Sequence, residues 1–206
     1  MTHVENIPHI LRHGITHRNS PNANPSYVII GDTSLINTRA TKQVQITNGI
    51  RSNSYKTIIL GDFIPFYFGV RMLMLYVMQH GGNYVEKATP PKDIIYLVCK
   101  VTEIMQSGIT YYFSDGHATE SLSFFYDSSK INELPNIIDW NAVQSTYWSG
   151  ENLSLKTKKQ AEFFVANDIP ASYLFGFGCY NEEAKQQLLE MGIESNKIKI
   201  IPKAYY

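Results

Sequence analysis

Eight residues, Ile94-Ile95-Tyr96-Leu97-Val98-Cys99-Lys100-Val101, constrain the fold more than any other stretch. The run is almost wholly apolar, rich in β-branched side chains and of strand length, the pattern of a strand buried inside a sheet. Around it, short strand-like runs and short helical ones follow each other, mostly without a strand–helix–strand rhythm. That order predicts an α+β architecture and argues against a doubly wound parallel sheet. At 206 residues the chain is long enough to bury a sizeable core, and one domain over 1–206 is expected.

Asn6 is placed to cap a short helix with Ile7, Ile10 and Leu11 on one face and Gly14 as its stop. Residues 27–30 (Tyr-Val-Ile-Ile) read as a short strand, 34–39 as a turn or short helical piece, and 43–46 (Gln-Val-Gln-Ile) as an edge strand. Residues 58–68 are apolar and β-prone, with Pro65 expected to break regular pairing. Helical spacing follows from Met72 to Met78. A short helix is expected over 101–108, a strand over 110–114, helical or partly helical structure over 120–126, and a long irregular stretch over 145–159. Loops of that length commonly read substrates or act as lids. A strand at 174–179, a helix at 182–191 capped by Asn181, and a strand at 197–201 complete the chain.

Composition limits the functions open to such a domain. Eighteen basic and eighteen acidic residues give a formal net charge of +0, so no global field recruits nucleic acid. Nucleic-acid binding would need a local basic patch and stacking side chains, and the 14 Tyr and 10 Phe supply the second. Cys99 and Cys179 are the only cysteines, each in an apolar or aromatic run, which predicts reduced thiols in a cytoplasmic protein. His3, His9, His13 and His17 crowd the start with Glu5 as the one interleaved acid, and no metal site is expected. No apolar run approaches the roughly 18 residues a membrane span needs, and no signal-peptide pattern opens the chain. Gly176-Phe177-Gly178 lacks the third glycine of a dinucleotide fingerprint, and a Walker A motif is absent.

The stretch Lys156-Thr157-Lys158-Lys159-Gln160-Ala161-Glu162-Phe163-Phe164-Val165 brings a polar, basic run up to a glutamate where an apolar run begins. Taken by itself it reads as a surface glutamate behind a basic loop. Its position at an element boundary also suits a carboxylate held rigidly at the rim of a cleft.

Several segments, in order, resemble the DarT family of DNA ADP-ribosyltransferase toxins. They are 2–11 (Thr-His-Val-Glu-Asn-Ile-Pro-His-Ile-Leu), 27–32 with 35–39, 63–68 (Phe-Ile-Pro-Phe-Tyr-Phe), 112–118 (Tyr-Phe-Ser-Asp-Gly-His-Ala) and 160–162 (Gln-Ala-Glu). Each is short; their order and spacing along nearly the whole chain carry the likeness. The family pattern also has a polar or basic side chain two positions before Thr2, a position that falls before Met1 here.

The resemblance implies an ADP-ribosyltransferase fold, a split, twisted β-sheet cleft with short flanking helices that holds NAD as co-substrate without a metal. It implies transfer of ADP-ribose to a base of single-stranded DNA, closer to the thymidine-modifying branch than to the guanosine-modifying one, with release of nicotinamide. Glu162 maps onto the family's catalytic glutamate and Arg39 onto an arginine that contacts NAD and takes part in base activation. Thr2, His3 and Asn19 map in or near the NAD site, Tyr67 near the nicotinamide, and His117 near the DNA side. A macrodomain antitoxin, DarG-like, is the implied protein partner of a monomeric, cytoplasmic toxin.

These residue types suit that chemistry. Cleaving the nicotinamide–ribose bond develops positive charge at the ribose, which a carboxylate such as Glu162 stabilises while orienting the hydroxyls. A guanidinium binds phosphate bidentately but is a poor proton acceptor at neutral pH, so Arg39 is favoured as an electrostatic and orienting group. Tyr111, Tyr112, Tyr147 and Trp148 are available to stack on bases, and Lys156, Lys158 and Lys159 form a local basic cluster beside Glu162. Transfer to RNA or protein, or a non-catalytic nucleotide- or DNA-binding module, are the alternatives the sequence leaves open.

Overall fold

The apolar run at 94–99 becomes an inner strand of a four-stranded sheet, paired on both sides. The computed structural model describes residues 1–50, 55–82, 84–148 and 153–206. In chain order its strands are β1 (Thr2–His3), β2 (Gln43–Ile46), β3 (Lys56–Ile59), β4 (Phe63–Tyr67), β5 (Ile94–Cys99), β6 (Tyr111–Ser114), β7 (Phe125–Tyr126), β8 (Glu162–Ala166), β9 (Leu174–Cys179) and β10 (Ile198–Ile200). The helices are α1 (Ile7–His13), α2 (Thr33–Thr41), α3 (Leu73–His80), α4 (Val101–Gln106), α5 (Leu134–Ile137), α6 (Trp140–Gln144), α7 (Leu153–Lys159) and α8 (Glu182–Glu190). The chain divides into two compact units: Met1–Thr33, Met74–Ile109 and Asp168–Tyr206 form one, Ser34–Leu73 and Thr110–Asn167 the other.

The first unit is built on the sheet β1-β5-β9-β10, in which β5 runs antiparallel to β1 and β9 while β10 is parallel to β9. A parallel pair needs a crossover, and α8 supplies it. Asn181 starts that helix by accepting a bond from the Ala184 amide at 3.0 Å, and Ala184 and Leu188 are fully buried on it. They pack with Ile7 and Ile10 of α1 and with Ile95, Phe177 and Cys179 of the sheet. Burying a side chain of this size contributes roughly 1.5–3 kcal/mol.

In the same unit, residues 27–30 form no strand, contrary to the short apolar run read there. The cause is Asn6. Its side-chain oxygen accepts from the Val28 amide at 2.8 Å and its side-chain nitrogen donates to the Val28 carbonyl at 2.9 Å, so one buried amide replaces a partner strand. Asn6 therefore precedes α1 without capping it.

The second unit holds the sheet β3-β2-β7-β6-β8-β4. Here β2 is interior, between β3 and β7, so the expected edge strand is β3 instead. Pro65 does not interrupt pairing: β4 is the other edge, keeps an unbroken antiparallel register with β8, and tolerates a residue without a donor on its open side. Residues 120–124 are turns rather than helix, because polar side chains take up the backbone groups a helix would use. Ser123 Oγ donates to the His117 carbonyl at 2.8 Å, and Asp115 Oδ1 accepts from the Phe124 amide at 2.8 Å. The expected irregular stretch before Glu162 contains α7, while 149–152 lie outside the described residues.

Strand β8 is covered on both faces. Phe163 stacks on Tyr111 at 5.0 Å and meets Phe68 edge-on at 6.1 Å. Phe164, on the opposite face, joins Val44, Ile46, Ile58, Leu60, Tyr112, Ala118 and Phe125 in one core. The alternation of β8 therefore puts Glu162 and Phe164 on a common face.

Candidate active site

Glu162 is the first residue of β8 and is 0% exposed. Its backbone lies in register with Tyr67 of β4 on one side and Ser114 of β6 on the other. A carboxylate cannot be buried in this way without donors. Two supply them. The Ala118 amide donates to Oε1 at 2.9 Å, and Arg39 Nη1 donates to the same oxygen at 3.2 Å while lying 2.9 Å from Oε2.

Arg39 reaches this point from the last turn of α2. Its guanidinium carbon sits 5.7 Å from the centroid of the Phe164 ring, so the side chain lies over the residue that shares a face with Glu162. Gly61 lets α2 approach the link between β3 and β4: a Cβ there would come within 2.5 Å of the Ala40 carbonyl oxygen and 2.7 Å of its Cα. The Leu60 amide donates to the Lys42 carbonyl at 2.9 Å just beyond that contact.

Burial pushes the Glu162 carboxyl above its ordinary range, against the opposing pull of Arg39 and the Ala118 amide. Burial, then the nearby carboxylate, also raises the Tyr67 phenol, with Arg39 opposing. His117, one residue before Ala118, is held down to about 4 by burial and by the positive charges of Arg39 and Lys156. The imidazole is thus neutral at neutral pH, with Nδ1 2.9 Å from Thr119 Oγ1.

Two polar atoms in this cluster are buried yet find no hydrogen-bond partner among the described residues: Arg39 Nη2 and Glu162 Oε2. Such atoms are costly unless a ligand completes them. A donor and an acceptor side by side fit a molecule with adjacent hydroxyl and anionic groups, such as the ribose and phosphates of a nucleotide.

The other candidate residues divide clearly. Tyr67 belongs to the cluster around Glu162 through the β4–β8 register. Thr2 is buried, and its Oγ1 lies 3.2 Å from the Tyr27 hydroxyl while accepting from Asn6 Nδ2 at 2.9 Å. His3 accepts the Glu5 amide at 3.2 Å, capping a single turn of 3-10 helix at Val4–Asn6. Asn19 is exposed on a loop fixed by Asp168, whose Oδ1 accepts from the His17 amide at 2.7 Å and whose Oδ2 accepts from Ser20 Oγ at 2.5 Å.

Among the DNA candidates, Tyr147 is 75% exposed, Trp148 half-buried, and Lys156 exposed. Lys158 is exposed but pairs with Asp139 at 3.1 Å. Two readings need correction. Lys159 is only 1% exposed, and its ammonium donates to the carbonyls of Val143 at 3.2 Å and Ser145 at 2.6 Å, so it offers nothing to phosphate. Tyr111 and Tyr112 are buried sheet residues: one is stacked on Phe163, the other lies 5.4 Å from Phe63 with Lys56 Nζ 5.2 Å over its ring. His117 is 7% exposed and lies beneath the surface.

Sequence reasoning missed the Ala118 amide, Phe164 beneath Arg39, and Asp168. Phe164 had a signal, the i, i+2 spacing from Glu162 in an extended run; a backbone amide has none. Among the described residues no group of acidic, histidine and cysteine side chains is placed to hold a metal.

A family model described as "ssDNA thymidine ADP-ribosyltransferase, DarT" matches residues 1–206. A DNA ADP-ribosyl transferase of Thermus sp. (strain 2.9) is 28% identical over 193 residues, 93% of this chain and 84% of that protein. The structure of Thermus sp. 2.9 DarT in complex with ADP-ribosylated single-stranded DNA is similar with a TM-score of 0.82 at 26% identity, covering 100% of this chain and 93% of that one. The same protein in complex with NAD+ gives a TM-score of 0.75 at 26% identity, covering 100% and 94%. With the model matched along its whole length and the fold shared, the chain belongs to the DarT family of single-stranded-DNA thymidine ADP-ribosyltransferases.

Proposed function

We propose that this chain transfers ADP-ribose from NAD to the thymidine base of single-stranded DNA, releasing nicotinamide, with Glu162 and Arg39 as the catalytic pair. The observation that carries the assignment of roles is the buried ion pair whose Oε2 and Nη2 are left unsatisfied. The family match and the Thermus DarT complexes with NAD+ and with ADP-ribosylated DNA support the reaction itself.

NAD supplies an ADP-ribosyl group through a cleavable nicotinamide–ribose bond. Glu162 Oε2, ion-paired with Arg39 Nη1 but accepting no hydrogen bond among the described residues, is the oxygen to accept from a ribose hydroxyl and to stabilise positive charge developing at the sugar. The Ala118 amide donates to Oε1 and Arg39 Nη1 lies within 3.2 Å of both oxygens, so the carboxylate is held in place. Arg39 Nη2 is a fixed donor for a phosphate or for an oxygen of the acceptor base, where it favours the deprotonated base without itself losing a proton. Tyr67, beside Glu162, offers an aromatic face to nicotinamide. Thr2, His3 and Asn19 are carried as NAD contacts on the family pattern alone, and Tyr147, Trp148 and Lys156 as DNA contacts on exposure and residue type. Residues 1–206 serve as one catalytic domain, acting in the cytoplasm under control of a macrodomain antitoxin; among the described residues no helix is long and apolar enough to cross a membrane.

The test is incubation of the purified chain with NAD and single-stranded oligonucleotides in which each base is varied in turn, read by mass. Gain of one ADP-ribose on thymidine-containing strands alone is the expected result. Modification of guanosine, RNA or protein instead, with thymidine strands untouched, overturns the assignment.

A further inference from the structure

We propose that Leu122 and Phe124 form an apolar crest on which a nucleobase flanking the acceptor thymidine packs. The inference rests on single-stranded DNA being the substrate.

Both side chains are conspicuous for their exposure, Leu122 at 85% and Phe124 at 49%, in a loop that is otherwise tightly fastened. Its neck is closed by the Asp115 amide donating to the Phe124 carbonyl at 3.3 Å and by Asp115 Oδ1 accepting the Phe124 amide at 2.8 Å. Inside, the Glu120 amide and Ser123 Oγ both donate to the His117 carbonyl, at 3.0 and 2.8 Å. Gly116 permits the tight packing: a Cβ there would meet Ser123 Oγ at 2.7 Å and Thr157 Cγ2 at 2.9 Å. A loop held this firmly presents its apolar residues in a fixed place, which lowers the entropy lost when a flat ring packs against them.

The same loop donates the Ala118 amide to Glu162, so its base stands at the reacting carboxylate. Leu122 is four residues beyond Ala118, a span of at most about 14 Å. That reach covers the neighbours of a base held at Glu162 rather than the base itself. On its other side the loop is tied to α7, where the His117 amide donates to the Thr157 carbonyl at 3.0 Å, with Lys156 exposed on one side of that residue and Lys158, paired with Asp139, on the other. Cations for a backbone beside an apolar face for bases are the two elements of single-strand recognition.

The experiment compares the unmodified chain with Leu122→Ala, Phe124→Ala, their double variant and Phe124→Trp, in steady-state transfer to thymidine-containing oligonucleotides. Both positions are exposed, so the variants keep the fold. Phe124→Ala is expected to raise the Michaelis constant for DNA about ten-fold, in the range of one lost base stack, and Leu122→Ala about three-fold. The maximal rate and the Michaelis constant for NAD stay unchanged, and Phe124→Trp restores DNA affinity. A 5-iodouracil one or two nucleotides from the acceptor is expected to photocrosslink to Phe124. Transfer with an unaltered DNA constant in the double variant overturns the crest, as does an unaltered constant with lost inhibition by the macrodomain antitoxin, which assigns the patch to protein docking. Failure of the unmodified chain to modify any single strand overturns the functional reading, and the crest with it.

Discussion

Arg39→Ala removes the cation that, among the described residues, makes a fully buried glutamate tolerable, and its consequences reach beyond the loss of a proposed substrate contact. In the intact pair Glu162 faces Nη1 at 3.2 and 2.9 Å and the Ala118 amide at 2.9 Å. Without the guanidinium, only that amide remains. Leaving an uncompensated charge in such a place costs about 3–5 kcal/mol, and a carboxylate avoids most of that by taking a proton. Burial already holds the Glu162 carboxyl above its ordinary range with Arg39 opposing, so removing Arg39 moves it further upward. The variant therefore loses the negative charge at neutral pH as well as the donor. A loss of roughly 3 kcal/mol of transition-state stabilisation corresponds to at least about 100-fold in kcat/KM. Three readouts follow from the same cause. The acid limb of the rate–pH profile, set by ionisation of Glu162, moves to higher pH in Arg39→Ala, and part of the activity returns on alkalinisation. Arg39→Lys, which keeps the charge, brings the limb back toward the native position while transfer stays low, because one ammonium cannot serve both carboxylate and substrate. Combined with Glu162→Gln, Arg39→Ala costs little more than Glu162→Gln alone. Near-native transfer by Arg39→Ala, an unmoved acid limb, or additive losses in the double variant would refute this account.

Glu162→Gln keeps an acceptor for the Ala118 amide and removes the charge, so folding by circular dichroism is expected to be native and transfer to fall to a residual level; near-native turnover in the purified variant contradicts the assignment. His117 ties stability to pH: its value falls from 6.5 to about 4 on folding, so the unfolded chain takes up a proton first as pH drops. The stabilisation present above 6.5 is lost between 6.5 and about 4, a difference of roughly 3 kcal/mol, and urea unfolding of the native chain declines through that window while His117→Asn stays flatter. Parallel curves, or a His117 ring seen by NMR to titrate near 6.5, exclude this. Gly61→Ala drives a Cβ to 2.5–2.9 Å from the Ala40 backbone and displaces the last turn of α2, so a loss of at least about ten-fold in transfer is expected together with a lowered Tm; native values of both would show the turn to be yielding. Lys159→Met leaves the Val143 and Ser145 carbonyls without their donor, at about 1–3 kcal/mol of stability. It is expected to raise the Michaelis constant for DNA and to spare that for NAD, and the reverse pattern would place Lys159 on the NAD side.

How far the sequence could be read depended on which groups make each contact. The strand at 94–99 was legible because an unbroken β-branched run of that length suits a buried strand and little else, and Glu162 was legible as a boundary because Phe163-Phe164-Val165 follows it directly. Its pairing with Arg39, 123 residues away, had no local signal and came only from the order of family-like blocks. The third member of the cluster is a backbone amide, which any residue at 118 would provide, so no side chain announces it. The misread segments share a physical cause. At 27–30 a single asparagine takes the place of a partner strand, and at 120–124 serine and aspartate side chains take the place of helical bonds. Alternation at 43–46 shows that one face is buried, but says nothing about whether both edges are paired. Reading 145–159 as irregular discarded rotational phase. A helix turns about 100° per residue, so the neighbouring Lys158 and Lys159 point about 100° apart. The last of them points inward.

That inward lysine explains how a few residues can govern both substrates. Between Thr157 and Glu162 the chain accepts the His117 amide through a carbonyl, binds the Val143 and Ser145 carbonyls through an ammonium, and then presents the carboxylate. The loop bearing Leu122 and Phe124 and the one bearing Tyr147 and Trp148 are thus each fastened within five residues of Glu162. Placement errors between a DNA-facing loop and the reacting group accumulate with the number of flexible bonds between them, and here that number is small. Catalysis by positioning gains most from such short linkage, since displacements near 1 Å already cost large factors in rate. A neutral net charge is compatible with acting on DNA for the same reason. The surface proposed to meet the DNA is local, mixed apolar and basic, and anchored to the strand that carries Glu162, so it needs no long-range field to be effective.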